Sequence, residues 1–165
     1  MDNKPINNYD RKKALNYANR WALARNPGYY DFSNLGGDCT NFCSQVLHAG
    51  GCNMNYESNG WYYKDGNNKS PSWTGVNFLY EFLIRSKDFG PVAYEVNVRD
   101  IKIGDIIQLS FQTGNLYNHS LIVVSHGIYA NVSNIKVSTH TDDRYHYPLI
   151  NYKWTKIRFL HIINN

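Results

Sequence analysis

The sequence is short of cysteine and has no long apolar run. Its 165 residues include three cysteines, an odd number at uneven spacing that gives no disulfide framework. No stretch approaches the length that crosses a lipid bilayer, and residues 1–8 lack the apolar segment of a secretory leader. We therefore expect no transmembrane segment and no signal peptide, and we expect the thiols to stay reduced.

Clustered charge is absent as well. The chain carries 17 Lys and Arg against 13 Asp and Glu, a formal net charge of +4, and these residues form no run of one sign. Binding of nucleic acid depends on a concentrated basic patch, so we expect no nucleic-acid partner. The mild positive charge is compatible with an anionic polymer as partner.

Apolar and aromatic residues are plentiful, at 42% and 15% of the chain. A chain of this length and composition can bury a core of its own. We therefore expect one domain over residues 1–165, and we expect it to be a monomer.

Helical periodicity dominates the first half of the chain and strand-like runs dominate the second. We predict helices over 9–25, from Cys39 to the Gly50-Gly51 pair, and over 72–86. Strands are predicted at 93–98, 105–110, 120–125, 128–132, 135–139 and 154–163. Helices followed by antiparallel strands indicate an α+β fold, in which N-terminal helices pack on a C-terminal sheet.

The sequence Gly-Gly-Asp-Cys at 36–39 places a cysteine where a glycine-rich loop becomes an amphipathic helix. Glycines permit a sharp turn, and Asp38 is of a residue type that caps helices. The unpaired N–H groups and the positive dipole end of a first helical turn favour a thiolate there. Cys39 is therefore our candidate nucleophile, whereas Cys43, one turn later, is interpreted as a core residue.

Among the six histidines, His119 has the sequence context of a catalytic base. It opens an apolar run directly after a polar loop, so its ring would be held on one side and open on the other. A third residue should orient this ring from the neighbouring strand, and either His140 or Asp142 could do so. We favour His140, because it still lies at the end of a strand whereas Asp142 is already in the turn.

Short motifs spread over roughly residues 9–149 resemble those of a bacterial family of putative amidase domains. They are GGDCTNFCSQ at 36–45, WYY at 61–63, SW at 72–73, GDII at 104–107, NHS at 118–120 and STHTD at 138–142. This family is similar to papain-like cysteine hydrolases and to the cell-wall domains that cut peptidoglycan stem peptides. The resemblance implies a papain-like fold with Cys39 as nucleophile, His119 as base and His140 as third polar residue.

The implied chemistry is acyl transfer through a thioester, without a metal or another cofactor. The backbone N–H of Cys39 would bind the oxyanion, and a second donor would come from Tyr30 or Asn34. Substrate contacts are predicted for Tyr30, Trp61 and Trp73. The two tryptophans could form the walls of a groove. Core packing beneath a long loop is an equally good interpretation of both.

We thus expect a metal-independent hydrolase that cleaves amide bonds in peptidoglycan or muropeptides, as an N-acetylmuramoyl-L-alanine amidase or a stem-peptide endopeptidase. It would act outside the cell or on the wall, either as a domain of a longer secreted protein or after release by lysis. Two other classes remain open. One is a zinc-dependent hydrolase with Cys39, His119 and His140 as ligands, and the other is a non-catalytic cell-wall-binding module.

Overall fold

The computed structural model describes residues 8–85 and 89–164 of the chain. Its helices are α1 (Arg11–Trp21), α2 (Cys39–Ala49), α3 (Pro71–Thr74) and α4 (Val76–Arg85). The side chain of Asp10 caps α1 by accepting a hydrogen bond from the Lys13 N–H at 3.0 Å. None of these helices is both long and apolar enough to cross a membrane.

The strands form a small hairpin and one larger sheet. The hairpin consists of β1 (Tyr63–Asp65) and β2 (Asn68–Lys69), and the strands of the sheet are β3 (Pro91–Val96), β4 (Ile106–Ser110), β5 (His119–Ser125), β6 (Lys136–Thr139), β7 (Arg144–Pro148) and β8 (Lys156–Asn164). Their spatial order is β3-β8-β4-β5-β6-β7, and every neighbouring pair is antiparallel. The start of β5 therefore lies in the middle of the sheet.

The helices cover one face of this sheet. Their buried side chains join Ile106 and Ile122 of the central strands in one hydrophobic core. On the opposite face Ile107 and Leu121 belong to a second core. Each central strand serves both cores because successive side chains point to opposite faces.

The prediction of an α+β fold is confirmed, with local differences. The helix predicted over 72–86 is divided at Gly75, whose extended backbone (φ −105°, ψ 125°) separates α3 from α4, and Ser86 lies outside the described residues. The strand predicted at 128–132 is wrong, because this segment is irregular and leaves Ile128 94% exposed. Strand β7 and the β1–β2 hairpin are additions, and neither has the apolar–polar alternation that predicts a strand.

A buried carboxylate joins the first helix to the centre of the sheet. Asp105, directly before β4, is fully buried and accepts a hydrogen bond from the Arg11 guanidinium at 2.7 Å. Its two oxygens also accept from the backbone N–H groups of Lys102 and Ile162, and they contact His161 Nδ1 at 2.9 Å. The Gly-Asp motif at 104–105 thus has a structural role, since this carboxylate ties α1 to β4 and β8.

Replacing Asp105 with Ala should destabilise the fold by about 3 kcal/mol, because it leaves the Arg11 cation and two backbone donors without their acceptor. Chemical denaturation of the two proteins measures the difference. Asp100→Ala is the matched control. Because Asp100 is exposed, this substitution should lower the free energy of unfolding by less than about 0.5 kcal/mol. Equal losses in the two variants would contradict the role assigned to Asp105.

Candidate active site

Cys39 is the first residue of α2, as predicted. The loop before it turns through Gly36 and Gly37, whose φ angles of 95° and 111° lie in the left-handed region that favours glycine. At Gly37 a side chain would also meet the Thr141 hydroxyl oxygen, which lies 3.2 Å from the Cβ position. The two glycines therefore let the chain enter the helix close beside residue 141.

Asp38 does not cap α2 with its side chain, contrary to the prediction. Its carboxylate is fully buried and turns inward instead. One oxygen accepts from the Phe32 N–H at 2.9 Å and from Asn41 Nδ2 at 2.8 Å. The other contacts His140 Nδ1 at 2.6 Å and Arg25 Nε at 3.5 Å. The carboxylate thereby fixes the loop and the first turn of α2 from several directions.

His140 belongs to this network, which differs from its predicted role. Its Nε2 contacts the Trp21 carbonyl oxygen at 2.8 Å, and its ring stacks on Phe42 with centroids 4.2 Å apart. Carboxylate and carbonyl oxygens only accept, so both contacts are hydrogen bonds when both ring nitrogens carry hydrogen. With both nitrogens occupied by Asp38 and Trp21, His140 has none left to orient His119. It supports the loop of the candidate nucleophile instead.

The turn after β6 is strained and joined to the same loop. Thr141 and Asp142 have φ angles of 63° and 53°, a conformation that is costly for residues other than glycine. The Thr141 hydroxyl accepts a hydrogen bond from the Asp38 N–H at 2.8 Å. This bond holds the turn against the start of α2.

The Cys39 sulfur lies next to the start of β5. It faces the backbone N–H of Ser120 and is 3.8 Å from the Thr40 hydroxyl. Burial raises the pKa of the thiol, and these two donors lower it only in part. The side chain is nearly enclosed, at 7% exposure of the residue. Burial therefore favours the thiol at this position, whereas the helix-terminus argument predicted a thiolate.

A chain of polar side chains supports this strand start from behind. The Thr40 and Ser120 hydroxyl oxygens are 3.0 Å apart, and Gln108 Nε2 donates to Ser120 Oγ at 3.1 Å. Gln108 Oε1 in turn accepts from Arg158 Nε at 2.8 Å, and the Arg158 guanidinium lies 3.8 Å from the Tyr117 ring centroid. These contacts fix the Ser120 backbone relative to α2.

His119 is the first residue of β5 and pairs with Leu109 of β4. The loop before it is held by Asn77 of α4, whose amide forms two hydrogen bonds with the backbone of Tyr117. The Asn118 N–H donates to the Leu109 carbonyl at 2.8 Å. His119 is thus placed by the sheet and by α4, as the prediction of a strand-initial residue requires.

The His119 ring packs against a pair of aromatic rings that also contact each other, with centroids 6.2 Å from Phe111 and 5.9 Å from Tyr152. Burial lowers the pKa of this histidine to about 4, and the Asp142 carboxylate raises it in part. A neutral imidazole is the form that accepts a proton. Among residues 8–85 and 89–164 no hydrogen bond joins this ring to Cys39. The residue that follows His119, Ser120, is the one whose backbone N–H faces the Cys39 sulfur.

Tyr152 is a member of this site that the sequence did not indicate. Its hydroxyl oxygen is buried and has no hydrogen-bond partner within the described part of the chain. Burial raises the pKa of the phenol to about 12, while the nearby Arg144 lowers it in part. The phenol therefore stays protonated, and its ring packs against that of His119. No pattern around residue 152 predicts this, since the residue comes from an irregular loop after β7.

The predicted substrate contacts of Trp61 and Trp73 need correction, because both side chains are fully buried. Trp61 Nε1 donates to Ser44 Oγ at 3.0 Å, and Trp73 Nε1 donates to Asn41 Oδ1 at 2.9 Å. A ring whose N–H is satisfied in the core and whose faces are covered cannot bind a ligand. The alternative interpretation, core packing, describes both residues.

Tyr30 has a different position. Half of this residue is exposed, and its ring packs against Phe32 with centroids 4.9 Å apart. Its backbone N–H donates to the Tyr63 hydroxyl at 2.8 Å, so that N–H is not free to bind an oxyanion. Asn34, the alternative donor, is exposed. Tyr30 thus remains a candidate for substrate contact through its ring.

The described residues bring no three His, Cys, Asp or Glu side chains together in a way that could hold a metal ion. Structural and catalytic zinc sites use at least three protein ligands. The trio Cys39, His119 and His140, considered above as zinc ligands, therefore does not form a donor set in this structure.

Comparison with known proteins places these residues in a family context. The sequence profile of the family described as "Putative amidase domain" matches residues 8–163. The chain is 37% identical over 120 residues to the uncharacterized protein YhbB of Bacillus subtilis (strain 168), covering 71% of this chain and 37% of YhbB. It is 25% identical over 150 residues to the uncharacterized protein YjcM of the same organism, covering 87% of this chain and 33% of YjcM.

The chain thus spans about a third of the length of the curated relatives it matches. No solved structure gave a significant match. The α+β fold described above therefore rests on its own elements and contacts.

Replacing Asp38 with Asn should destabilise the protein by about 3 kcal/mol, because an amide group then faces His140 and the ion pair of the carboxylate with Arg25 is lost. Urea denaturation measures the loss. Asp31→Asn is the control: Asp31 contacts the same arginine but its side chain is 47% exposed, so its loss should stay below about 1 kcal/mol. Similar losses in both variants would argue against a central role for Asp38.

The rate of Cys39 alkylation by iodoacetamide should rise steadily with pH and still be rising at about pH 9, because burial raises the pKa of the thiol. Cys39 should react before Cys43 and Cys52, which are 0% and 1% exposed. Peptide mass spectrometry after timed labelling resolves the three sites. A rate for Cys39 that stays constant between about pH 5 and 8 would instead indicate a stable thiolate–imidazolium pair.

Proposed function

Because the chain belongs to the putative amidase domain family, we propose that it is a cysteine-dependent amidase that hydrolyses amide bonds of bacterial peptidoglycan. The observation that carries this proposal is the position of the Cys39 thiol. It stands at the first turn of an 11-residue helix and faces the N–H of the residue that follows His119. A papain-like relationship is part of the proposal, since a helix-initial cysteine and a strand-initial histidine are what that arrangement uses.

In the proposed mechanism both groups begin neutral. The thiol proton passes to the His119 imidazole as sulfur bonds to the amide carbonyl carbon, and the carbonyl oxygen becomes an oxyanion. The N–H of Cys39 belongs to a first helical turn, whose amides lack intrahelical acceptors, and it binds this oxyanion. The C–N bond then breaks as the imidazolium returns the proton to the leaving amine, which leaves a thioester on Cys39.

The second half of the reaction reverses these roles. His119 takes a proton from a water molecule as the water oxygen bonds to the thioester carbon. The C–S bond breaks, the acid product leaves, and the proton returns to the sulfur. A neutral imidazole is needed at both stages, and burial disfavours the protonated form by lowering the His119 pKa to about 4.

The distance between thiol and imidazole must shorten for this chemistry. Catalytic hydrogen bonds are often long in free enzymes and tighten when substrate binds. The His119 side chain shares the sheet face of Leu109 and Leu121, so its imidazole must move toward the sulfur around the start of β5. The charge of the Asp142 carboxylate raises the pKa of His119, so we propose Asp142, in place of His140, as the group that stabilises the imidazolium.

The proposal predicts that Cys39→Ala abolishes the release of fragments from purified cell walls, while Cys43→Ala, one turn deeper and fully buried, retains turnover. His119→Gln should lower kcat by about 100-fold or more, because it removes the proton acceptor.

Product analysis by mass spectrometry identifies the cleaved amide, and so separates an N-acetylmuramoyl-L-alanine amidase from a stem-peptide endopeptidase. Full activity of Cys39→Ala would rule the mechanism out.

The same assay separates the other two classes. A zinc-dependent hydrolase would lose activity with a chelator and keep it with iodoacetamide, and a thiol enzyme would do the opposite. A wall-binding module would sediment with the walls without releasing fragments, in the original chain and in Cys39→Ala alike. Neither outcome agrees with a cysteine amidase.

A further inference from the structure

An open groove runs beside the loop that leads into α2. Gly36 and Gly37 form part of one side, and Gly66 and Lys69 of the β1–β2 hairpin form part of the other. The last lining residue on the loop side, Gly37, precedes Cys39 by two positions in the sequence. The position of the groove links the candidate nucleophile to a surface on which an extended chain could lie.

The glycine side of the groove is made of bare backbone. At Gly36 no atom lies within 4 Å of where a Cβ would be, so the space above this residue is open. Its positive φ disfavours any residue with a side chain at that point. On the hairpin side, a Cβ at Gly66 would come within 3.0 Å of the Tyr30 ring. The half-exposed Tyr30 ring therefore packs directly against the hairpin backbone at Gly66.

Lys69 is the single charged residue among those that line the groove. Its ammonium lies 4.7 Å from the Phe32 ring centroid, a cation–π contact that holds the charge over the groove floor. No carboxylate in the described ranges forms an ion pair with it. An anion bound in the groove would therefore give the Lys69 ammonium a negatively charged partner. The N-terminal end of α2, two residues beyond Gly37, adds positive potential in the same direction.

We propose that this groove binds the part of the substrate next to the scissile amide, and that Lys69 recognises a free carboxylate on that peptide. The inference rests on the proposed function and narrows it to peptides that carry a negative charge near the cleaved bond. The open backbone at Gly36 gives room for an extended peptide. Wall peptides with the carboxylate amidated should be poorer ligands.

The test uses the Cys39→Ala protein, which cannot turn over its ligand. Binding is measured by calorimetry for two synthetic muramyl peptides that differ in one group, a free α-carboxylate or a carboxamide on the second peptide residue. We expect the carboxylate peptide to bind about fivefold to tenfold more tightly, the range of one charge-assisted hydrogen bond at a half-exposed site. Adding Lys69→Met should remove this preference.

Lys64→Met is the matched control. Lys64 lies on the same hairpin, is exposed and stacks on Tyr56 at 5.4 Å, away from the groove lining. The preference should survive this substitution. Three results would overturn the inference. They are the absence of any preference for the carboxylate peptide in the Cys39→Ala protein, its persistence in Lys69→Met, and its equal loss in Lys69→Met and Lys64→Met.

A parallel measurement of turnover with the unsubstituted chain keeps the two proposals distinct. If that chain cleaves both peptides with equal kcat/KM, the amidase proposal stands and the groove assignment fails. If the chain cleaves neither peptide nor whole walls, the amidase proposal fails. In that case a Lys69-dependent preference in binding would still establish the groove as a site for anionic peptides.

Discussion

The buried carboxylate of Asp38 is the constraint on which the candidate site depends. Removing a carboxylate from water costs several kcal/mol unless donors replace the lost hydration. Here the donors come from three separate places: the loop before α2, the first turn of α2, and the end of β6. Conformations that lack any of them leave a charge without compensation. The network therefore selects one arrangement of the Cys39 loop relative to the sheet.

This constraint explains the backbone around it. To bring Asp38 inward, the chain must turn through two positive φ angles, which Gly36 and Gly37 adopt without steric cost. The turn at Thr141 and Asp142 adopts the same region without that freedom. Its strain is tolerated because the Thr141 hydroxyl accepts the Asp38 N–H. Strain on one side of the contact is thus offset by a hydrogen bond on the other.

Much of the fold could be predicted from local pattern. The start of α2, the place of His119 and the order of helices before strands follow from periodicity and from glycine positions, which are properties of short segments. Strand β7 could not be predicted in this way. Its residues are exposed or half-buried, so they carry no alternation between a core face and a solvent face.

The hydrogen-bond partners of polar side chains could not be predicted from the sequence either. Asp38 has the residue type and position of a helix cap, and only tertiary packing directs its carboxylate toward His140. His140 lies at a strand end, as expected, but residues distant in sequence decide which acceptors meet its ring. Trp61 and Trp73 illustrate the same limit. An aromatic residue in a glycine-rich loop can line a groove or fill a core, and the hydrogen bonds of the indole N–H decide between them.

Enclosure of the two candidate catalytic groups gives the site its chemical character. Burial raises the pKa of the Cys39 thiol and lowers that of the His119 imidazole, so each disfavours its charged form. Forming a thiolate–imidazolium pair before a substrate binds would require solvation that these two buried positions do not supply. The Ser120 N–H is directed at the sulfur, and the first-turn amides of α2 are the donors that we propose for the oxyanion. In the proposed mechanism these donors would stabilise charge as it develops, so proton transfer and attack would form one coupled event that begins when a substrate carbonyl reaches the thiol.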